Sequence, residues 1–377
     1  QPTSATKSRD ANFERLLVIL VDFQAETTDD PNTTGNGKFL LEPDPNYLYS
    51  VGSPPHDRAY FQQNLEALRY YYLAASAGSY NLQYEVWPQT GAYTLPKNMG
   101  YYNPPGADNE LFVSRMEEYF KTAFELADSL SPELDFSAFG HYMIIHAGSD
   151  WQHDVYGDTP SDIPSFFIRV GEGKEAVVDG GSVLISHACN VPSTISQDFS
   201  SQTSGEDTIH SGYGALNAVL CHEFGHSLGF VDLYNVHTWQ PMVGVFDIMD
   251  SGGSGILMDI LDDGSYVLLE GALPGLPGAW SRELVFGDDL RSRGLLRDVE
   301  YVNLFREMPL AASSHRQPGD KLIPQILRIP LSPTEYILVE NRSVDPDGDG
   351  ATALKASDDG RVILYPTPID DPENIPS

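Results

Sequence analysis

Residues 221–232 read CHEFGHSLGFVD, and no other stretch constrains the fold as strongly. His222 and His226 are four apart, so on a helix they lie one turn above each other on one face. Imidazole nitrogens placed this way can both reach one ion about 2.0–2.1 Å away. Glu223 is offset by about 100° around the helix and can lean over the open side of such an ion without ligating it. The pattern therefore demands a helix and then a sharp stop. Gly229 supplies the stop, because glycine accepts the left-handed conformation that ends helices. The chain can then turn back to bring Asp232 to the ion as a third, oxygen ligand. His237, five residues on, and Glu270, in a loop-like context, are competing third ligands. Two imidazoles, a carboxylate and an open position suit catalytic zinc, with Glu223 taking a proton from water and passing it to a leaving amine.

Two further segments carry metal-related signals. VFDIMDSGG places Met249 in a Gly/Ser-rich turn 17 residues after Asp232, where a methionine can form an apolar floor beneath a metal. DPDGDG sets Asp345, Asp347 and Asp349 at alternating positions before Gly350, the opening of a calcium loop. Ala356 stands where that loop usually has its bidentate acid, so Asp358 or Asp359 must close a longer one. The alternative is a solvated acidic turn.

Elsewhere the hydrophobic pattern predicts a mixed α/β (α+β) chain. RLLVILVDF (residues 15–23) is a continuous apolar run of strand length, suited to a strand covered on both faces. Apolar residues recur at three and four over His56 to Ala77 and again over Asn109 to Leu130, where Phe112, Met116, Phe120 and Phe124 share a face. GSYNLQYEVW, HYMIIHAG and GSVLISHA read as strands, with SVLISHA as a candidate edge for an extended peptide. Ser193 to Ser211 is a Ser/Thr-rich connection, and the metal-motif helix opens near Tyr213. The chain then reads as loops through Gly278. From Tyr301, YVNLF, QILRIPL, EYILVE and RVILY are short strands. The expected organisation is a catalytic domain over residues 1–300 with a mixed sheet, and a β-rich extension over 301–377 packed on it.

Composition narrows the partners. With 54 acidic and 22 basic residues the formal net charge is −32, which repels nucleic acid and anionic membranes. No apolar run is long enough to span a bilayer. The first residues show no basic segment followed by an apolar one, so a signal peptide is absent or was removed before the numbering begins. Cys189 and Cys221 can form one bridge or remain as buried thiols.

Taken together, these segments resemble the immune inhibitor A family of bacterial secreted metallopeptidases. The likeness runs through LLVILVDF, LRYYYLAASAGSYNLQYEVW, MIIHAG, HEFGHSLGFVDLYN, FDIMDSGG, GAWSRELVFG and EYILVENR. It implies a zincin-like, metzincin-type fold and a secreted, extracellular zinc endopeptidase, stabilised by calcium and made with a propeptide that is removed. Its zinc roles transfer to His222, Glu223, His226 and Asp232, with aspartate where many such enzymes place histidine. Protein or peptide substrates follow. Two departures stand out. RVILYPTPID has Tyr365-Pro366 where the family commonly has an aromatic-His pair, and the methionine turn has Ser251 in place of a tyrosine. An oxyanion-stabilising tyrosine must then come from elsewhere, and Tyr234 is the candidate. A contrasting expectation is a calcium-dependent surface or assembly protein on an inherited fold, against which the intact Glu223 argues.

The calcium expectation is testable by melting. Protein stripped of calcium should gain roughly 2.7 kcal/mol at about 100 times the dissociation constant, if calcium binds only the folded state. A melting curve that does not move across millimolar calcium overturns it.

Overall fold

Among the described residues up to Gly214, the chain forms β1 (Arg15–Asp22), α1 (Arg58–Ala75), β2 (Gln83–Trp87), β3 (Tyr93–Thr94), α2 (Met99–Tyr102), α3 (Asn109–Leu130), β4 (His141–His146), β5 (Phe166–Arg169), β6 (Ala176–Val178), β7 (Val183–Ile185), β8 (His187–Pro192), β9 (Ile195–Thr203) and β10 (Glu206–Gly214). There follow α4 (Asn217–Leu228), β11 (Leu257–Ile260), β12 (Tyr266–Leu269), α5 (Ala279–Ser292), β13 (Leu296–Asp298), β14 (Ile326–Pro330) and β15 (Tyr336–Glu340). This computed structural model describes residues 14–28, 30–45, 50–154, 156–203, 206–255, 257–260, 266–300, 307–313, 322–343 and 355–364. The chain divides into two units, Gln1–Gln62 with Leu82–Leu216, and Gln63–Asn81 with Asn217–Ser377.

In the first unit, the apolar run forms β1, whose interior residues from Leu16 to Val21 are all buried. Strands pair on both its edges, and Leu17, Ile19 and Val21 on one face pack into a core with other buried residues. The sheet runs β2-β1-β4-β8-β5, with β3 also pairing β1. β2, β3 and β4 lie parallel to β1, and β8 parallel to β4, while β5 is antiparallel to β8. The architecture is thus mixed α/β with a mixed sheet. α3 opens on Asp108, whose side chain accepts the Leu111 N–H at 2.9 Å, a standard N-cap. Its buried face, Met116, Phe120 and Phe124 with Tyr119, Ala123 and Ala127, shares one core with Leu17, Ile19 and Val21. Phe112 is only partly buried.

In the second unit, the C-terminal part of α1 carries buried tyrosines, and Tyr71 Oη donates to the Gly275 carbonyl at 2.7 Å. Arg282 of α5 is fully buried and donates from Nε to the Ala75 carbonyl at 2.9 Å. Arg293 reaches the Ala77 carbonyl at 2.9 Å. Two guanidiniums thus satisfy carbonyls left over at the end of α1. β13, β14 and β15 form a three-stranded sheet, β13 pairing β14 across residue 300.

Several local expectations change. Tyr213 belongs to β10, which pairs with β9 from Gly214↔Ile195 to Glu206↔Thr203, so the Ser/Thr-rich stretch is a hairpin and α4 begins only at Asn217. SVLISHA is split. β7 pairs with β6 in a separate two-stranded sheet, while β8 has a neighbour on each side, leaving β5 at the edge. Helix α5 occupies a stretch for which the pattern gave no element. Ile363 of RVILY makes a single bridge to Ala356 rather than a strand. Cys189 and Cys221 are buried thiols, not a disulfide. No helix among the described residues is long and apolar enough to cross a membrane. Asp345, Asp347, Asp349, Tyr365 and Pro366 lie outside the described residues. Asp359, offered as a closing calcium ligand, is engaged by Ser357 Oγ at 2.6 Å and Arg361 Nε at 2.9 Å.

At the end of β4, His146 is fully buried, donating from Nδ1 to the Ala147 carbonyl at 3.0 Å and edge-on to Phe23. Burial lowers its pKa to about 4, against the opposing pull of that carbonyl and of Asp150. The native state therefore keeps His146 neutral, whereas the unfolded chain protonates it near pH 6.5. The stability this provides is complete above about pH 6.5, falls as the pH drops, and is gone below about 4. Denaturant melts at pH 7 and 4.5 should show His146→Gln losing roughly 2–3 kcal/mol less than the parent on acidification. Equal losses would remove His146 as a cause of acid sensitivity.

Candidate metal centre

α4 is anchored from its first residues. Asn217 Nδ2 donates to the carbonyls of Ala272 (3.1 Å) and Ile363 (2.9 Å), and the Ala218 N–H donates to Gly271 (2.9 Å). One turn along, Tyr72 Oη donates to the Cys221 carbonyl, and its ring packs on Phe224 and Phe230 at 5.4 and 6.3 Å. Gly225 is required here, because a Cβ would stand 2.9 Å from both Phe230 Cδ2 and Tyr72 Oη and 3.1 Å from Met249 Sδ. The helix ends where Gly229, at φ 108°, donates to His226 (3.0 Å) while Phe230 donates to Gly225 (2.9 Å). That pair of bonds is the left-handed closure that glycine favours.

The closure returns the chain so that Asp232 faces both histidines. His222 Nδ1 donates to the Ile248 carbonyl at 2.9 Å and His226 Nδ1 to the Phe230 carbonyl at 3.2 Å. A carbonyl can only accept, so each Nδ1 carries the proton, and in the neutral ring Nε2 presents a lone pair. Those Nε2 atoms lie 3.3 and 3.2 Å from Asp232 Oδ1. That oxygen is buried and makes no hydrogen bond of acceptable geometry. Three electron-rich atoms therefore face one another, which only a cation stabilises. Ligands 2.0–2.1 Å from a tetrahedral zinc are separated by about 3.3 Å, so the residues fit the ion.

The electrostatics agree. Burial disfavours a charged His222, yet the Asp232 and Glu223 carboxylates and the Ile248 carbonyl push its pKa up to about 9. Burial likewise opposes ionisation of Asp232, but the two imidazoles hold it well below the usual carboxylate range. Both shifts have one cause, a site that favours positive charge between these atoms. Glu223 is 7% exposed, and its negative charge acts on both His222 and Tyr234.

The turn beneath is built from two aspartates. Met249 is fully buried, and its carbonyl accepts the Leu233 N–H at 2.8 Å. Asp247 accepts the Met249 N–H at 3.0 Å through Oδ1, and through Oδ2 the Gly278 N–H at 2.8 Å and Ser281 Oγ at 2.6 Å. Asp250 Oδ2 gathers the N–H groups of Met242, Val243 and Gly244 at 2.7, 2.7 and 3.0 Å. Although burial opposes it, that ring of donors lowers the Asp250 pKa. Tyr234 lies near-parallel to His222, ring centroids 6.4 Å apart, and Trp239 stacks on Tyr234 at 5.6 Å. Burial and the Asp232 and Glu223 carboxylates raise the Tyr234 pKa, so its hydroxyl stays protonated at neutral pH. Trp239 has φ 57°, a left-handed conformation costing a non-glycine residue about 1–2 kcal/mol.

Of the sequence-derived candidates, His222, His226 and Asp232 come together with all three ligand atoms within 4.8 Å of one another. Among the described residues this trio is the whole group. His237 is exposed with its N–H on Asn235 Oδ1, and Glu270 stands in the turn just after β12, so neither joins it. Sequence reasoning missed Gly225, Asp247, Asp250 and Trp239. For Asp247 and Asp250 the signal was present: two acids bracketing a turn methionine are natural acceptors for turn N–H groups.

Among known proteins, the pre-pro-metalloprotease PrtV is similar to this chain, with the same alignment in two strains of Vibrio cholerae serotype O1. It is 27% identical over 268 residues, covering 63% of this chain and 27% of PrtV. The chain thus spans about a quarter of the length of the curated relatives it matches. No protein-family model matches it, and no solved structure does.

The geometry predicts which carboxylate matters. Asp232→Asn should weaken zinc binding by about a hundredfold or more, since even outer partners of zinc ligands are worth 10–100-fold. His237→Ala and Glu270→Ala should bind zinc as the parent does. Competition titration with a chromogenic chelator checks this, and parent-like affinity in Asp232→Asn overturns the assignment.

Proposed function

We propose that this chain is a secreted zinc endopeptidase of zincin-like fold, related to the immune inhibitor A family, that acts on proteins or peptides. One observation carries the reading. The two Nε2 atoms stand 3.3 and 3.2 Å from Asp232 Oδ1, the spacing that ligands of one tetrahedral zinc adopt. His222, His226 and Asp232 would hold the ion, which supplies Lewis acidity towards a peptide carbonyl and water.

The chain's own residues do the rest. Glu223, buried beside His222 and contributing no ligand atom, takes a proton from the attacking water and returns it to the leaving amine nitrogen. The carbonyls of Ile248 and Phe230 fix both imidazoles in the tautomer that presents Nε2. Tyr234, protonated and stacked on His222, can donate a hydrogen bond to a developing oxyanion. The likeness to a pre-pro-metalloprotease supports a peptidase, and a removed propeptide belongs to the same reading. Calcium rests on the spacing of Asp345, Asp347 and Asp349 alone.

Glu223→Gln is the direct test, with casein-type cleavage and metal content measured together. The variant should keep one zinc per chain and the parent's melting temperature while losing activity by about two to four orders of magnitude. Near-normal turnover would remove Glu223 as the base. A parent protein that holds no transition metal and cleaves nothing would leave the surface or assembly alternative standing.

A further inference from the structure

The loop between Asp232 and the methionine turn has an unusual surface. Trp239 is 67% exposed and Met242 71%, and Val236, Val245 and Phe246 are also exposed. Residues Leu233 to Phe246 include no Asp, Glu, Lys or Arg. At the chain's 20% charged composition a run of that length would carry about three. Large exposed apolar side chains gathered in one segment mark a surface that meets something.

The loop is also held in shape. Asn235 closes its first half: its carbonyl accepts the Trp239 N–H at 2.7 Å and its Oδ1 the N–H groups of His237 and Thr238 at 3.0 and 3.1 Å. Asp250 closes the second half through Met242, Val243 and Gly244. Trp239 therefore keeps its left-handed backbone while presenting its indole outward. Strain maintained by surrounding bonds at an exposed residue is a mark of functional positions.

The indole leads directly to the candidate metal centre. It stacks on Tyr234, which stacks on His222, so its centroid is no more than 12 Å from the imidazole's. An extended peptide advances about 3.4 Å per residue, so this distance covers about three residues.

We propose that residues 235–246 form a preorganised apolar platform that receives a bulky hydrophobic side chain of the substrate within three residues of the scissile bond, with the Trp239 indole as its principal contact. This rests on the peptidase reading and adds a substrate class to it: peptides with Phe, Leu or a similar residue near the cleaved bond. The charge-free loop on a chain of net charge −32 selects against charged side chains, whose hydration an apolar surface cannot replace.

The test uses zinc-loaded protein and quenched peptides that vary one position at a time between Phe, Leu, Ser and Asp. At one position the parent should favour Phe and Leu over Ser and Asp by about tenfold or more in kcat/KM, the scale set by apolar pocket contacts. Trp239→Ala should reduce that ratio about fivefold or more, Phe246→Ser should shift it the same way, and Trp239→Phe should restore most of it. Binding is read separately by tryptophan fluorescence in Glu223→Gln. Titration with the Phe peptide should change the emission, and adding Trp239→Phe should abolish the change. If both loop variants hold zinc, melt as the parent does and keep its ratio, the platform is overturned while the peptidase reading stands. An unchanged ratio together with Trp239-dependent sedimentation on phosphatidylcholine vesicles would also overturn it, assigning the loop to a membrane surface. A parent with neither zinc nor cleavage overturns both readings together.

Discussion

Each of the two histidines gives its Nδ1 proton to a backbone carbonyl, and the character of the site depends on that. Were either proton on Nε2 instead, a neutral ring would donate to Asp232, and the trio would be a satisfied polar cluster with no need of an ion. The carbonyls that enforce the tautomer come from two turns: Phe230 from the end of α4, Ile248 from the turn that carries Met249. Those turns have their own fasteners, the left-handed Gly229 in one and the Asp247 carboxylate in the other. Small backbone features thus set the direction of two lone pairs.

The helix between them is held as firmly from behind. Tyr72 occupies the space beside Gly225, with its hydroxyl on the Cys221 carbonyl and its ring against Phe224 and Phe230. A phenylalanine there would pack but leave the polar contact unmade. Tyr71, next in line, binds the Gly275 carbonyl and is fully buried, which raises its pKa well above the usual range. Desolvating two phenols is unfavourable unless each finds an acceptor, and each does. Of the two, Tyr72 holds α4 directly, at mid-length, and Tyr71 holds the segment around Gly275.

Much of this could be read in the sequence, for definite reasons. α3 runs from Asn109 to Leu130 as its periodicity indicates, because capping at Asp108 and a single apolar face are local signals. The convergence of His222, His226 and Asp232 follows from helix pitch and one glycine, again within a dozen residues. What was hidden depends on distant chain. The start of α4 is set by bonds from Asn217 to Ala272 and Ile363, 55 and 146 residues away, which no window around Tyr213 could show. Asp247 could be seen as a turn acid, but not that it also reaches Gly278 and Ser281 at the start of α5. Trp239 was hidden for another reason. Apolar patterns are read on the assumption that large rings are buried, and this one is not.

The turn at Gly229 also bears on what an ion would do for the protein as a whole. A cross-link stabilises a fold chiefly by restricting the unfolded chain, and the effect grows with the length of chain enclosed. His222 and Asp232 are only ten residues apart, and most of those ten are already ordered by helix and closure. An ion at this centre ties together a segment that is its own scaffold, so it adds little as a topological clamp. Whatever stability an ion adds there comes from its affinity for the three ligand atoms rather than from restriction of the unfolded chain.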